Sequence, residues 1–165
     1  MREGDRQAGS AKLAPQSFHS IIQAFLAERI NRATAPDKVA FAFPELRTTY
    51  GGRSYVPDIA VYRWDRIPKD SHGRPLQQFD ALPDVVVEIA SPGQSTNFLT
   101  RRCVWYVAQG SPVAVLVDPQ DESVMVFRAD RAPIGLQRGE VLERPELMTG
   151  FSISIDELFS ALTFD

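Results

Sequence analysis

Beyond residue 14 the spacing of apolar positions changes several times, and each change marks an element. Phe18, Ile21, Ile22, Phe25, Leu26 and Ile30 recur at the i, i+3, i+4, i+7 spacing of an amphipathic helix, which predicts a helix over residues 15–33 with Ser17 as its cap. Val39 to Pro44 then reads as a strand, a polar turn runs from Tyr50 to Ser54, and a second strand runs from Val56 to Arg63. Residues 64–80 carry two prolines, a glycine and no period, so they read as a surface loop. The run from Asp84 to Ala90 is nearly continuous in apolar content, as in a central strand covered on both faces.

A helix over residues 96–109 follows, with Leu99, Cys103, Tyr106 and Val107 on one face and Gly110 as its stop. Val113 to Asp118 is another apolar strand, and Ser123 to Arg128 alternates like its hairpin partner. Short strands near residues 140–142 and 151–155 and a short helix over 156–162 complete the chain. This order predicts a mixed α/β fold, a central mixed β-sheet flanked by helices with an additional β-hairpin.

Composition narrows the chemistry. The chain has 165 residues, enough to build a core as a single domain over residues 15–165, behind a loose arm over residues 1–14 that shows no sustained period. A single cysteine, Cys103, excludes an internal disulfide and reads as a core residue, and with only His19 and His72 a Cys/His zinc site is excluded. A net charge of −3 gives no global attraction to nucleic acid, so a polyanionic substrate would need a local basic patch and a metal. No stretch has the length of a membrane span and the N-terminus lacks a signal-peptide core, so a cytoplasmic protein is expected.

Two acidic residues stand where acids are costly. Asp58 lies at the start of one predicted strand and Glu88 inside another, and a buried carboxylate requires a cation, a donor or a metal. In strand geometry Asp84, Val86, Glu88 and Ala90 share one face. If the two strands are neighbours, Asp58 and Glu88 converge on one ion, and hard oxygen ligands of this kind suit Mg²⁺ or Mn²⁺. On the next helix Arg102 shares the face of Leu99, Cys103 and Tyr106 and can lean inward, whereas Arg101 points toward solvent. A buried salt bridge from Arg102 to Glu88 is the rival explanation for this glutamate.

Taken in order, Pro57-Asp58, the run Val85 to Pro92, the helix with Tyr106 and Gly110, and the strand closing Val117-Asp118-Pro119 resemble the Uma-two family of endonucleases, within the PD-(D/E)XK nuclease superfamily. The resemblance extends from about residue 17 to about residue 160. It implies a restriction-endonuclease-like core and a metal held by Asp58 and Glu88. The superfamily's lysine is absent two residues after the glutamate, where Ala90 stands; family members carry it on the following helix, where this chain has Arg102. Where the family tends to have an aspartate early in that helix, this chain offers Asn97 or Phe98.

With the resemblance, the residues support a DNA-hydrolysing, Mg²⁺- or Mn²⁺-dependent endonuclease. Asp58, Glu88 and the Ile89 carbonyl would hold the ion, Arg102 would stabilise charge on the phosphate, and Arg53 and Arg101, with Arg47 and Arg74, would contact the DNA backbone. A homodimer is expected, since two symmetric sites cut both strands of a duplex, with residues 113–128 and the C-terminal strands as candidate interfaces. The alternative is an inactive nuclease-fold module that binds nucleic acid or protein, motivated by Arg102 and Asn97. No G-x-S-x-G elbow supports a serine hydrolase. His19 reads more readily as a packed or solvent-facing residue than as part of the site, Glu28 as a solvent-facing partner of its neighbouring arginines, His72 as exposed, and Trp64, Trp105 and Tyr106 as packing residues.

Overall fold

The computed structural model describes residues 16–165, so the proposed arm over residues 1–14 lies outside the described residues. Helix α1 (Ser17–Thr34) leads into strand β1 (Ala40–Pro44), a small hairpin of β2 (Thr48–Tyr50) and β3 (Arg53–Tyr55), and strand β4 (Ile59–Arg63). A 3-10 turn (Trp64–Arg66) and a long loop lead to β5 (Val85–Ile89), followed by helix α2 (Thr96–Ala108) and the strands β6 (Val113–Asp118), β7 (Ser123–Arg128) and β8 (Arg131–Leu136). The chain closes with β9 (Val141–Glu143), β10 (Ser152–Ser154) and helix α3 (Ile155–Ser160).

Six strands form one mixed sheet in the order β1-β4-β5-β6-β7-β8. Only β5 and β6 run parallel, because only they are joined by a helical crossover, α2; every other neighbouring pair is antiparallel. Strand β5 therefore sits inside the sheet with all five residues buried, as its near-continuous apolar sequence requires. Its alternate residues serve two cores. Val85, Val87 and Ile89 pack with α1 and α3 on one side, and Val86 packs with Leu99, Cys103 and Tyr106 of α2 on the other. Cys103 is a buried core residue.

The outer edge of β1 is covered by polar side chains of α1. Asn31 Nδ2 donates to the Ala42 carbonyl at 3.0 Å while the Ala42 amide donates to Asn31 Oδ1 at 2.7 Å, and Thr34 Oγ1 donates to the Ala40 carbonyl at 2.8 Å. An edge strand otherwise offers unpaired backbone groups to any passing chain, and here α1 satisfies them internally.

Several expectations change. Ser17 does not cap α1: Gln16 takes the extended cap position, without a side-chain hydrogen bond, and Ser17 is the first helical residue. Residues 64–80 are more than a surface loop, because Ile67 and Phe79 are buried with Tyr62 in a third apolar cluster. The turn over residues 50–54 is flanked by the short strands β2 and β3, with Gly51 and Gly52 at φ of 59° and 74°. A Cβ on Gly51 would also crowd the end of the Gln109 side chain, which adds to the left-handed backbone as a reason for glycine there. Strand β8 is absent from the sequence reading because Pro133 and Gly135 argue against a strand; it forms at the sheet edge, where proline is tolerated. It also covers β7, and β6 is interior, so the segment 113–128 is not the exposed interface expected of it.

Replacing Asn31 strands two backbone groups at once. We expect Asn31→Ala to cost about 1–3 kcal/mol in urea unfolding, read as a lower midpoint at unchanged slope; an unchanged midpoint would show that water satisfies the edge instead.

Candidate active site

The register of the central sheet brings the two acids together. Ile59 pairs with Val87 across the antiparallel β4–β5 ladder, and continuing that register by one residue sets Asp58 opposite Glu88. Asp58 lies just outside the strand, after buried Pro57, so its side chain can turn back on the end of β5. There Asp58 Oδ2 accepts a hydrogen bond from the Ile89 amide at 2.7 Å. Asp58 Oδ1 faces His19 Nε2 at 3.1 Å. Gln23, one turn further along α1, donates to the Asp58 carbonyl at 2.9 Å and to Glu45 Oε2 at 3.2 Å. Glu45 itself has a φ of 54°, and its amide also donates to the Asp58 carbonyl, so a strained residue helps to hold the loop.

Glu88 points to the α2 side of the sheet and is 4% exposed. Its Oε2 accepts the Tyr106 hydroxyl at 2.8 Å. Arg102 Nε donates to that same hydroxyl at 3.1 Å and stands 3.5 Å from Glu88 Oε2. The hydroxyl thus sits between acid and guanidinium. The guanidinium lies over the Tyr55 ring, 5.0 Å from its centroid, and Tyr55 packs in turn on Trp105 and Tyr106. With Nε committed to Tyr106, the two terminal nitrogens of Arg102 have no hydrogen-bond partner among the described residues. That leaves two donors on a guanidinium that stands beside Glu88.

The charges do not balance at Glu88. Burial, followed by the neighbouring charge of Asp58, pushes its carboxyl up to about 8 against the opposing pull of Arg102 and Tyr106. Burial works against the charged form of His19, but its hydrogen bond to Asp58 and the charges of Asp58, Glu45 and Glu88 raise it above the ordinary histidine value. Such a pair of carboxylates, one of them deeply buried and under-compensated, fits a hard divalent cation. Among the described residues no group of three or more His, Cys, Asp or Glu side chains is arranged around one point. Two carboxylates are the side chains that could serve a cation here, and Mg²⁺ commonly completes so small a set with water and substrate oxygens.

Arg101 is exposed on α2, and Arg53 is exposed on β3, where it donates to the Tyr55 hydroxyl at 3.2 Å. Arg47 is exposed, and Arg74 pairs with Asp70 at 3.2 Å in the long loop. Asn97 is exposed on the first turn of α2, and His72 is exposed. Glu28 pairs with Arg32 on the solvent side of α1 and adds no third carboxylate. Asp84 shares the face of Glu88 but binds the Arg63 amide and Arg66 at the opposite end of the strand. His19 is the main correction: it is buried and faces Asp58. Its signal was polar residues at 19 and 23, one turn apart beside the apolar stripe of Ile22 and Leu26.

Residues 9–156 match the Uma2 family, described as "Putative restriction endonuclease", and the chain belongs to that family. The fold is similar to a crystal structure of "a putative nuclease" from Anabaena variabilis, with a TM-score of 0.85 and 35% identity over 90% of this chain and 84% of that one. No curated protein matches. The family and fold place the chain in the restriction-endonuclease-like class of nucleases. No helix among the described residues is long and apolar enough to cross a membrane.

The Glu88 carboxyl gives a signed prediction. Its proton affinity is raised on folding, so its contribution to stability is full below the unfolded value near 4.5 and is lost as pH rises toward 8. In metal-free protein Glu88→Gln should gain about 1–3 kcal/mol over wild type at pH 8 and little at pH 4.5. Equal stability at both pH values in chemical denaturation would contradict a strained carboxylate.

Proposed function

We propose that this protein is a metal-dependent endonuclease that hydrolyses DNA phosphodiester bonds at the Asp58, Glu88 and Arg102 constellation. The observation that carries the reading is the buried, under-compensated Glu88 carboxylate set against Asp58 and flanked by an arginine whose terminal nitrogens are left as donors. A neutral protein interior gives no reason to keep such a pair; a cation and a phosphate give one.

In this reading Asp58 and Glu88, with the Ile89 carbonyl, hold Mg²⁺ or Mn²⁺. The bound ion supplies Lewis acidity and lowers the pKa of coordinated water. The chain's own residues set the geometry. Ile89 N–H and His19 hold the two oxygens of Asp58, and Tyr106 holds one oxygen of Glu88 while fixing Nε of Arg102. The terminal nitrogens of Arg102 then receive two oxygens of the scissile phosphate, stabilising the charge that grows there. Arginine keeps its proton throughout, so it acts as an oxyanion donor and not as a base. Exposed Arg101 adjoins Arg102 on α2, and exposed Arg53 lies on β3, whose Tyr55 packs against the Arg102 guanidinium, so both can contact flanking phosphates. Two copies related by a twofold would cut both strands, and light scattering at twice 18.4 kDa would agree with that homodimer.

Nicking of supercoiled plasmid in Mg²⁺ or Mn²⁺ tests the assignment. We expect Asp58→Ala and Glu88→Ala to abolish it, Arg102→Ala to lower it by about 10²-fold, and Arg102→Lys to retain a measurable part. Metal-independent nicking, or full activity in either alanine variant of the acids, would overturn the reading. Metal binding without nicking would favour a nuclease-fold binding module.

A further inference from the structure

One face of α1 carries a ladder of polar side chains, and its last rung lies in the site. Thr34 and Asn31 bind the backbone of Ala40 and Ala42, Gln23 binds the carbonyl of Asp58, and His19 meets the Asp58 carboxylate itself. These residues fall within about a third of the helix circumference. They fix α1 to β1 and to the start of β4 at successive points, so the helix cannot slide without pulling on Asp58. His19 is 8% exposed, in the first turns of a helix whose neighbouring apolar residues Ile22 and Leu26 are fully buried. A polar ring buried there needs a partner, and Asp58 Oδ1 is the partner it has.

We infer that His19 is a positioning residue for Asp58, setting which carboxylate oxygen and which lone pair face the proposed ion. Asp58 has two fixed contacts on its carboxylate, Ile89 N–H on Oδ2 and His19 Nε2 on Oδ1. One contact leaves the carboxylate free to rotate about its bond to Cβ; two from different elements lock it. Outer hydrogen bonds of this kind orient ligands and raise metal affinity. The inference rests on the reading of Asp58 as a metal ligand for its functional consequence, but the positioning itself is a property of the metal-free protein.

The amide of Ile89 reports the result directly, because it donates to the other oxygen of Asp58 at 2.7 Å. In ¹H–¹⁵N spectra of metal-free protein, Asp58→Ala defines the shift of an Ile89 amide that has lost its acceptor. We expect His19→Ala to move the Ile89 resonance toward that position, and His19→Gln, which keeps a side-chain N–H, to restore it. With Mg²⁺, His19→Ala should lower kcat for plasmid nicking by about 10-fold or more at unchanged KM for DNA, with His19→Gln intermediate. An Ile89 amide at its wild-type position in a folded His19→Ala variant overturns the positioning role whatever the activity. A wild-type protein that never nicks DNA overturns the nuclease reading, while the Ile89 shift still decides the role of His19.

Discussion

The constraint on which the site depends is the placement of a carboxylate inside the central strand of the sheet. Strand β5 is buried along its whole length, and four of its five residues are apolar. Glu88 is the exception, and its burial would be unfavourable if the fold required only a core. Neighbouring groups mitigate that cost without removing it. The Tyr106 hydroxyl satisfies one oxygen, Arg102 stands at 3.5 Å, and the negative charge of Asp58 is added from the adjoining strand. A structure built for stability alone would put valine there, as it does at Val85, Val86 and Val87. The excess negative charge is the feature that the proposed cation explains.

The rest of the molecule serves to bring four elements to that point. Parallel pairing of β5 and β6 requires the α2 crossover, and α2 delivers Tyr106 and Arg102 to one side of β5. Antiparallel pairing of β4 with β5 delivers Asp58 to the same strand end. The hairpin of β2 and β3 lays Tyr55 against the Arg102 guanidinium, which restrains a long side chain that would otherwise have many rotamers. Helix α1 covers the sheet edge and reaches Asp58 with His19 and Gln23.

Much of this was legible in the chain because period and burial coincide. The helix of residues 15–33, the strand around Glu88, the helix carrying Arg102 and the β6–β7 hairpin all show strong periodicity, and each occurs within a residue or two of its expected limits. The two acids stood out because charge in an apolar strand is rare. Strand β8 was not legible, since its proline and glycine carry meaning only once an edge position is known. His19 was not legible for a related reason. A histidine beside an apolar stripe has many uses, and only the fold shows that α1 runs past the start of β4. The Tyr106 hydroxyl was likewise masked by its ring, which packs as a core aromatic while its oxygen joins Glu88 to Arg102.

The most direct test of a cation site at Asp58 and Glu88 is titration calorimetry of Mn²⁺ near pH 7, repeated in buffers of different ionisation enthalpy. Burial and the neighbouring Asp58 raise the Glu88 carboxyl above the ordinary glutamate value, so an arriving cation competes there with a proton. The account predicts a single class of site, loss of binding in the Asp58→Ala, Glu88→Ala double variant, and a heat that varies with buffer as proton release on binding requires. Binding that survives the double variant, or no binding at millimolar Mn²⁺, would contradict it.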